Sequence, residues 1–367
     1  MKKIVLFLMI LLSSFLPVIA NDSIELMPSQ IAKVIKLHYE DSAQEGFEQT
    51  KQVVTLKFLT GENKNEIIVL DNQLSGNPFY DIKLKENMKV VLHAEKIDNK
   101  TFYSIENVYR LPVLVSLIGL FALLLCIIGR KKGIYSLITI FVIILIILKM
   151  LSPMIQIGIN PILSTIFASL LSTVVTMFLV GGFNRKSTSA VIGCFVTLLI
   201  ASLLACISVK AGYITGFTDE NSNFLYAVHP EINFVSIAVS MMIIAALGAV
   251  MDVSMSIAST INEIYSIDNT KTLKELFISG MNVGRDIIGT MANTLILVYL
   301  GTSLSLILLL SNIDLYKFIN LNQITTEIIS ALIGTIAIII CVPITAFFAA
   351  KLIVSTPSKI DVPFEKL

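Results

Sequence analysis

Two acidic residues inside hydrophobic segments are the first candidates for chemistry in this sequence. Asp252 lies within the apolar run from Ala245 to Ser256, and Asp286 follows Arg285 just before another apolar run. An ionised carboxylate in the middle of a bilayer costs at least about 2.5–3.5 kcal/mol, so it normally faces protein or water. A carboxylate of this kind has either a functional role, such as a place in a path for a proton or another small cation, or a structural role in helix packing.

Helical spacing extends the first candidate into a polar stripe. Asp252, Ser256, Ser259 and Glu263 stand at positions i, i+4, i+7 and i+11. Residues at this spacing lie on one face of an α-helix. The segment around Asp252 is therefore predicted to present one polar stripe along an otherwise apolar helix.

The next apolar segment has a matching stripe. Asp286, Thr290 and Asn293 share one helical face, and Gly280 and Gly284 precede them as two small residues four positions apart. Such glycine pairs let membrane helices approach closely. Because a polar linker joins the two segments at one side of the membrane, Asp252 and Asp286 are expected at similar depth.

The charged residues of these stripes have more than one interpretation. Asp252 is either the titrating group of a proton or cation path, or the partner of Arg285 in an ion pair that fixes helix packing. Asp286 also suits the positive N-terminal end of its own helix. In that case Arg285 merely anchors the helix at the membrane surface.

The composition places these helices in a membrane. Hydrophobic residues make up 55% of the 367 residues and charged residues 14%, and the mean hydropathy is +0.83. Soluble domains have about 25% charged residues. The apolar residues form runs of about twenty, the length that crosses a hydrocarbon core. About seven spans are predicted, at about 111–128, 133–148, 162–180, 190–209, 234–252 and beyond, 287–310 and 328–350.

The N-terminal part is predicted to be exported. Lys2, Lys3, the apolar stretch Ile4–Leu12 and Ala20 form the pattern of a signal peptide at residues 1–20. Residues 21–110 contain five short runs with alternating apolar and polar side chains, each ended by turn residues. This pattern predicts a small β domain, such as an OB-like barrel. The membrane domain then covers residues 111–352, and residues 353–367 form a tail.

Basic residues predict the orientation. Cytoplasmic connections of membrane proteins are enriched in Lys and Arg. With the β domain outside a bacterial cell membrane and the C-terminus in the cytoplasm, three basic residues fall in outer loops: Lys149, Lys210 and Lys317. Eleven fall on the inner side: Arg130, Lys131, Lys132, Arg185, Lys186, Lys271, Lys274, Arg285, Lys351, Lys359 and Lys366.

The linker between the fifth and sixth spans is predicted to form a helix of its own. Asp268–Thr270 can cap a helix, and Leu273, Leu276 and Phe277 share one face. A short amphipathic helix lying on the inner membrane surface is therefore expected.

Several classes of function are not supported by the sequence. It shows no hydrolase elbow, phosphate-binding loop or metal-spaced His/Cys cluster, so no enzyme activity, metal or cofactor is predicted. The four cysteines fall inside apolar runs and are expected to be packing residues. A net charge of +1 gives no reason to expect nucleic acid as a partner.

The two long motifs resemble the YibE/F family of bacterial membrane proteins. The passages are Leu247–Ala258 and Ser279–Leu297, together with the turn Gly129–Gly133. The resemblance extends from the β domain to the seventh span. It does not indicate which biochemical activity the protein has. The layout around Asp252 and Thr290–Thr294 is also similar to proton-driven export proteins of the RND and SecD/SecF type. The double acidic pair of many such pumps is lacking here.

Two functions follow as expectations. The first is a transporter-like or export-accessory membrane protein with a proton or cation path near Asp252. The second is a membrane scaffold without transport, whose exported β domain binds an envelope partner. Besides the lipid bilayer, another membrane or envelope protein or a second copy of the chain is an expected partner.

Overall fold

The computed structural model describes residues 29–354, apart from residues 45, 46, 62, 98 and 99. The predicted signal peptide at residues 1–20 and most of the predicted tail lie outside the described residues. Contacts within the chain define two compact units, which divide between Leu124 and Leu125. The first half of the first predicted span therefore belongs with the β domain.

The N-terminal unit contains a nearly closed antiparallel barrel of five strands, which confirms the predicted small β domain. The strands follow the order β3-β2-β1-β4-β5, and β3 approaches β5. They are β1 (Gln30–Gln44), β2 (Phe47–Phe58), β3 (Ile67–Gln73), β4 (Lys89–Ile97) and β5 (Lys100–Val108).

Alternation along the strands builds the barrel core. Val34, Leu56 and Leu92 point inward from three different strands and are fully buried. Phe58 joins them, and Leu84 seals the core from the segment before β4. These apolar side chains are buried against one another within the barrel.

The rest of the described chain is helical. Its helices are α1 (Leu111–Ile146), α2 (Ser152–Gln156), α3 (Pro161–Gly181), α4 (Arg185–Ala211), α5 (Glu220–Val228), α6 (Phe234–Ile267), α7 (Leu273–Thr302), α8 (Leu304–Leu308), α9 (Leu315–Ile319) and α10 (Asn322–Val354). A π-helical segment, Ile147–Leu151, joins α1 to α2.

Six helices of the described chain are long and apolar enough to cross a membrane when Leu111–Gln156 is counted as one. That segment has 46 residues, whereas about 20 suffice for one span. Its backbone leaves helical geometry at Arg130, with φ 48° and ψ −131°. A Cβ added to Gly133 would overlap the carbonyl oxygen of Leu125, so the chain folds back on itself here. The two arms agree with the predicted first and second spans, and the six helices supply about seven spans.

Helix α6 lies at the centre of the bundle. It contacts α3, α4, α7 and α10, while α4 also contacts α3 and α10, and α10 also contacts α7. Going around α6, the order is therefore α3, α4, α10 and α7, with an uncovered side between α7 and α3. Small residues allow the close contacts: a Cβ added to Gly193 of α4 would overlap the Thr345 side chain of α10.

The predicted surface helix between the fifth and sixth spans was wrong. Leu273 and Leu276 belong to the first turns of α7, which continues without a break through Asp286 to Thr302. Leu276 is fully buried in the bundle core, which removes the apolar face that a surface helix would need. Thr272, not Asp268–Thr270, caps the helix, in a capping box with Glu275.

Candidate functional site

The stripe that carries Asp252 lies on the uncovered side of α6. Asp252 and Ser256 are exposed, as is Glu263, and Ser259 is half-buried. The residues on either side of Asp252, Met251 and Val253, are buried against neighbouring helices. The stripe therefore opens sideways between α7 and α3.

The stripe on α7 also faces outward. Asp286, Thr290 and Asn293 are exposed, whereas Gly280 and Gly284 lie on the opposite, buried face. In a bilayer the outward face meets lipid unless another protein segment covers it. Polar side chains at that depth usually find a protein or water partner.

Packing between α6 and α7 sets the relative depth of the carboxylates. Ile261 of α6 lies against Gly280 of α7. The two helices run in opposite directions, so Asp252 is level with Gly289, one turn from Asp286. The structure thus places both carboxylates at similar depth but on separately exposed helix faces.

Arg285 has a different partner from the one considered in the ion-pair interpretation. Its Nη1 donates a hydrogen bond of 3.0 Å to Oδ1 of Asn282, one turn earlier on α7. Among the ion pairs of the described residues, none includes Asp252, Arg285 or Asp286. The structure does not bring Asp252 and Arg285 together.

Gly280 and Gly284 allow α7 to approach its neighbours. A Cβ added to Gly280 would lie 2.7 Å from Cδ1 of Ile261 and 3.1 Å from Cβ of Ala346. A Cβ added to Gly284 would overlap Val342 of α10. Gly289, on the exposed face of the same helix, has no neighbouring atom within 4 Å of its added Cβ.

The Gly284→Ala variant is expected to destabilise the protein by about 1–3 kcal/mol, because the new methyl group overpacks the contact with Val342. The matched Gly289→Ala variant should be neutral or slightly stabilising, since alanine is the better helix former and the site is open. Thermal unfolding of both proteins in the same detergent measures the difference. Equal melting temperatures would mean that α7 does not pack closely against α10 at this position.

A second polar cluster, not predicted from the sequence, lies inside the bundle. Oγ1 of Thr173 in α3 is 3.6 Å from the sulfur of Cys194 in α4. In α6 and α10, Oγ of Ser254 is 3.4 Å from the sulfur of Cys341. The same sulfur is 3.4 Å from Oγ1 of Thr345, also in α10. We call these five buried residues the central layer. Cys194 also interacts with Ser254, so the layer is continuous across four helices.

Hydroxyl groups in and beside the central layer are oriented as acceptors. Thr173 donates its proton to the carbonyl of Ser169 at 2.8 Å, and Ser254 donates to the carbonyl of Val250. Each hydroxyl oxygen can still accept a hydrogen bond, and the thiols of Cys194 and Cys341 are the neighbouring groups in the layer. Pro343 follows closely in α10, and its missing N–H leaves the carbonyl of Ile339 without the usual helical donor. An interior rich in oxygen acceptors suits a small cation or a hydrogen-bond donor.

Buried hydroxyl groups continue on both sides of the central layer. Ser164 and Thr165 of α3 and Ser240 of α6 lie toward one end of the bundle, and Thr176 of α3 and Ser187 of α4 toward the other. None has a hydrogen-bond partner among the described residues. At 1.5 Å per residue, Thr165 is about 12 Å from Thr173 on one side, and Ser187 is about 10 Å from Cys194 on the other. Buried polar atoms normally have partners, so these positions fit water or an ion.

The α3 part of this cluster had a signal in the sequence. Thr165, Ser169, Ser172, Thr173 and Thr176 stand at i, i+4, i+7, i+8 and i+11, which is one helical face. Sequence reasoning that follows only charged residues overlooks such a stripe.

One further acidic residue was also missed. Glu327 lies in the second turn of α10 and is half-buried, whereas the seventh span was predicted to begin at about Ile328. It borders an apolar cavity of about 240 Å³ between α7 and α10, near Tyr299. Placing the start of the span one turn earlier would have included it among the charged residues of membrane helices.

Comparison with known families covers both parts of the chain. The YibE/F-like protein family matches residues 117–355, and the N-terminal domain of the YibE/F family matches residues 25–108. No curated protein and no solved structure matches the chain. The first match alone spans more than half of the 367 residues and includes Asp252, Asp286 and the central layer. The chain therefore belongs to the YibE/F family.

Proposed function

We propose that the protein is transporter-like and moves a proton or another small monovalent cation through the interior of its helical bundle. The observation that carries this proposal is the central layer, together with the unpartnered hydroxyls on both sides of it. These groups extend over much of the roughly 30 Å thickness of a hydrocarbon core. The described residues of the layer include no carboxylate, so its neutral oxygen atoms suit a monovalent cation better than a divalent one.

Asp252 supplies the titratable group of this proposal. It lies two residues from Ser254 on α6, on the side of the helix that the bundle leaves uncovered. A carboxylate there can gain or lose a proton when water or a second membrane component reaches the open side. An export-accessory role with the same coupling fits this arrangement as well.

The proposed orientation puts residues 21–110 outside the cell and the C-terminus in the cytoplasm. Lys186 lies within electrostatic range of Lys132 and Glu263, so the α1 turn and the ends of α4 and α6 meet at one end of the bundle. Arg185 donates to the carbonyl of Ile353, which brings the end of α10 to the same place. The excess of basic residues at this end supports its assignment to the cytoplasmic side.

Flux through proteoliposomes tests the transport proposal. The Thr173→Val variant should lower the initial rate of proton or monovalent-cation flux about tenfold, since a lost oxygen contact of 1–1.5 kcal/mol changes a rate by that factor. Thr294→Val is the matched control, because Thr294 makes the same hydrogen bond to a carbonyl four residues earlier but faces outward. Flux is followed with a pH-sensitive dye inside the vesicles and with alkali-cation gradients across them.

The scaffold function remains the second candidate because of the outward polar face of α7. Asp286, Thr290 and Asn293 are exposed along this face, where a helix of another protein or of a second copy could cover them. No flux by the wild-type protein under any gradient, or equal flux by the Thr173→Val and Thr294→Val variants, would rule out the interior path. The scaffold function would then be favoured.

A further inference from the structure

The β domain has a cavity at the end from which the first membrane span begins. The cavity has a volume of about 480 Å³ and is lined by residues 78–83 and by residues 106–108 and 110. Arg110 is followed directly by Leu111, the first residue of α1. Because Leu111 begins an apolar span, this end of the barrel lies next to the membrane surface.

An ordered loop presents two aromatic rings at this end. Asp81 accepts hydrogen bonds from the backbone N–H of Ser75 at 2.6 Å and from that of Gly76 at 2.8 Å, which fixes the loop. Phe79 and Tyr80 nevertheless remain 71% and 68% exposed. Their ring centroids are 4.8 Å apart in an edge-to-face arrangement. A loop held this firmly, with two large rings in the solvent, is typical of a contact surface.

Basic residues lie at the same end of the barrel as the rings. Lys83 and Arg110 line the cavity, and both are exposed. Lys89 lies at the same end of the barrel, because its carbonyl accepts a hydrogen bond of 2.9 Å from Tyr109. Of the carboxylates in the lining, Asp81 is engaged by Ser75 and Gly76, and Glu106 is exposed.

We propose that this end of the β domain docks on the phospholipid bilayer, with Phe79 and Tyr80 at the level of the headgroups and with Lys83 and Arg110 on lipid phosphates. Aromatic rings concentrate at this level of membranes, where their apolar bodies meet acyl chains. Lys and Arg side chains are attracted to anionic lipids over the same short distance. Arg110 directly precedes the first span, which places this end of the barrel at the membrane surface. The positive charges of Lys83 and Arg110 are complementary to lipid phosphates, which favours the bilayer as the partner. This inference does not depend on the transport proposal.

The absence of tryptophan from the sequence makes a specific test available. In the full-length protein, Phe79→Trp would introduce a fluorophore of its own into the loop. Phe102→Trp is the matched control, since Phe102 is also an exposed phenylalanine of this domain, at 55%. It lies six residues before Val108 on β5, about 20 Å farther from the membrane end. Both variants are reconstituted in vesicles whose phospholipids carry bromine on the acyl chains.

The expected result is a fluorescence loss of at least about half for the Phe79→Trp protein in brominated anionic vesicles, because apolar side chains at the interface are buried about 5–10 Å into the boundary between headgroups and acyl chains. The Phe102→Trp protein should lose little. Adding Lys83→Gln and Arg110→Gln should reduce quenching of the Phe79→Trp protein about twofold in anionic vesicles and not in zwitterionic ones.

Equal quenching of the two tryptophan variants, or none in the loop, would overturn the docking proposal and would favour a soluble partner for the rings. If the quenching of Phe79→Trp is the same in anionic and zwitterionic vesicles and is unchanged by Lys83→Gln and Arg110→Gln, the proposed contact with lipid phosphates is wrong. Should Phe79→Trp fail to fold, Tyr80→Trp takes its place with the same expected loss.

Discussion

A fragment of residues 21–110 carrying Gln52→Leu is expected to lose about 2–5 kcal/mol of unfolding free energy. Gln52 is fully buried in β2. Its Nε2 donates to Tyr39 and to the carbonyl of Leu84, and its Oε1 accepts from Asn72 and from the N–H of Leu84. Leucine would fill the space but leave both backbone groups of Leu84 without these partners. At roughly 0.05–0.15 kcal/mol per residue, the whole unfolding free energy of a domain of this size is only about 5–13 kcal/mol, so the variant should unfold at a much lower urea concentration than the parent fragment.

The control for this variant is Gln73→Leu, because Gln73 is exposed on neighbouring β3 and makes no such network. A surface change of this kind should stay within about 0.5 kcal/mol. Urea unfolding followed by circular dichroism compares the two variants with the parent fragment, which should be rich in strand and melt cooperatively. Equal midpoints for the two variants would contradict the network, and a parent fragment without strand signal would mean that the barrel needs the membrane part.

The barrel was predictable because apolar and polar side chains alternate along most of each strand and because the strands end at turn residues. The run Val53–Leu59 matches the second half of β2 to within one residue, and Thr101–Val108 falls on β5. The inward side of each strand follows directly from the alternation, since apolar side chains of a solvated barrel face its core. What the alternation could not reveal was Gln52, whose polar side chain points inward against the pattern.

The sequence predicted the approximate number of membrane spans, but it did not predict which side of each helix faces the bundle. Apolar runs mark the spans because lipid and protein interior are equally apolar. For the same reason a polar stripe on a single span is compatible with burial or with an open side. Asp252 and Asp286 were expected to face protein or water and lie on uncovered faces, whereas the hydroxyls of Thr173 and Ser254 form the interior cluster. Only contacts between helices distant in the sequence decide this.

The Asp252→Asn variant is expected to abolish the pH dependence of flux while the protein keeps its melting temperature. Asparagine keeps the shape and the hydrogen-bonding capacity of aspartate but cannot ionise, so a proton carried by Asp252 is no longer taken up or released. Because Asp252 has no ion-pair partner among the described residues, its removal breaks no charge pair. Glu263→Gln, farther along the same stripe, is the matched control and should leave flux intact.

Stability measurements separate this expectation from the ion-pair interpretation. If Asp252 paired with Arg285 in the protein as it works in a membrane, Asp252→Asn would strand a buried positive charge. The cost would be about 3–5 kcal/mol, and neutralising Arg285 as well would recover much of it. The contact of Arg285 with Asn282 predicts otherwise. The free energies of unfolding of Asp252→Asn and of Asp252→Asn/Arg285→Gln should differ by no more than about 1 kcal/mol. If Asp252→Asn is destabilised and Arg285→Gln restores its stability, Asp252 has a role in helix packing. The proposal that Asp252 carries a proton would then lose its support.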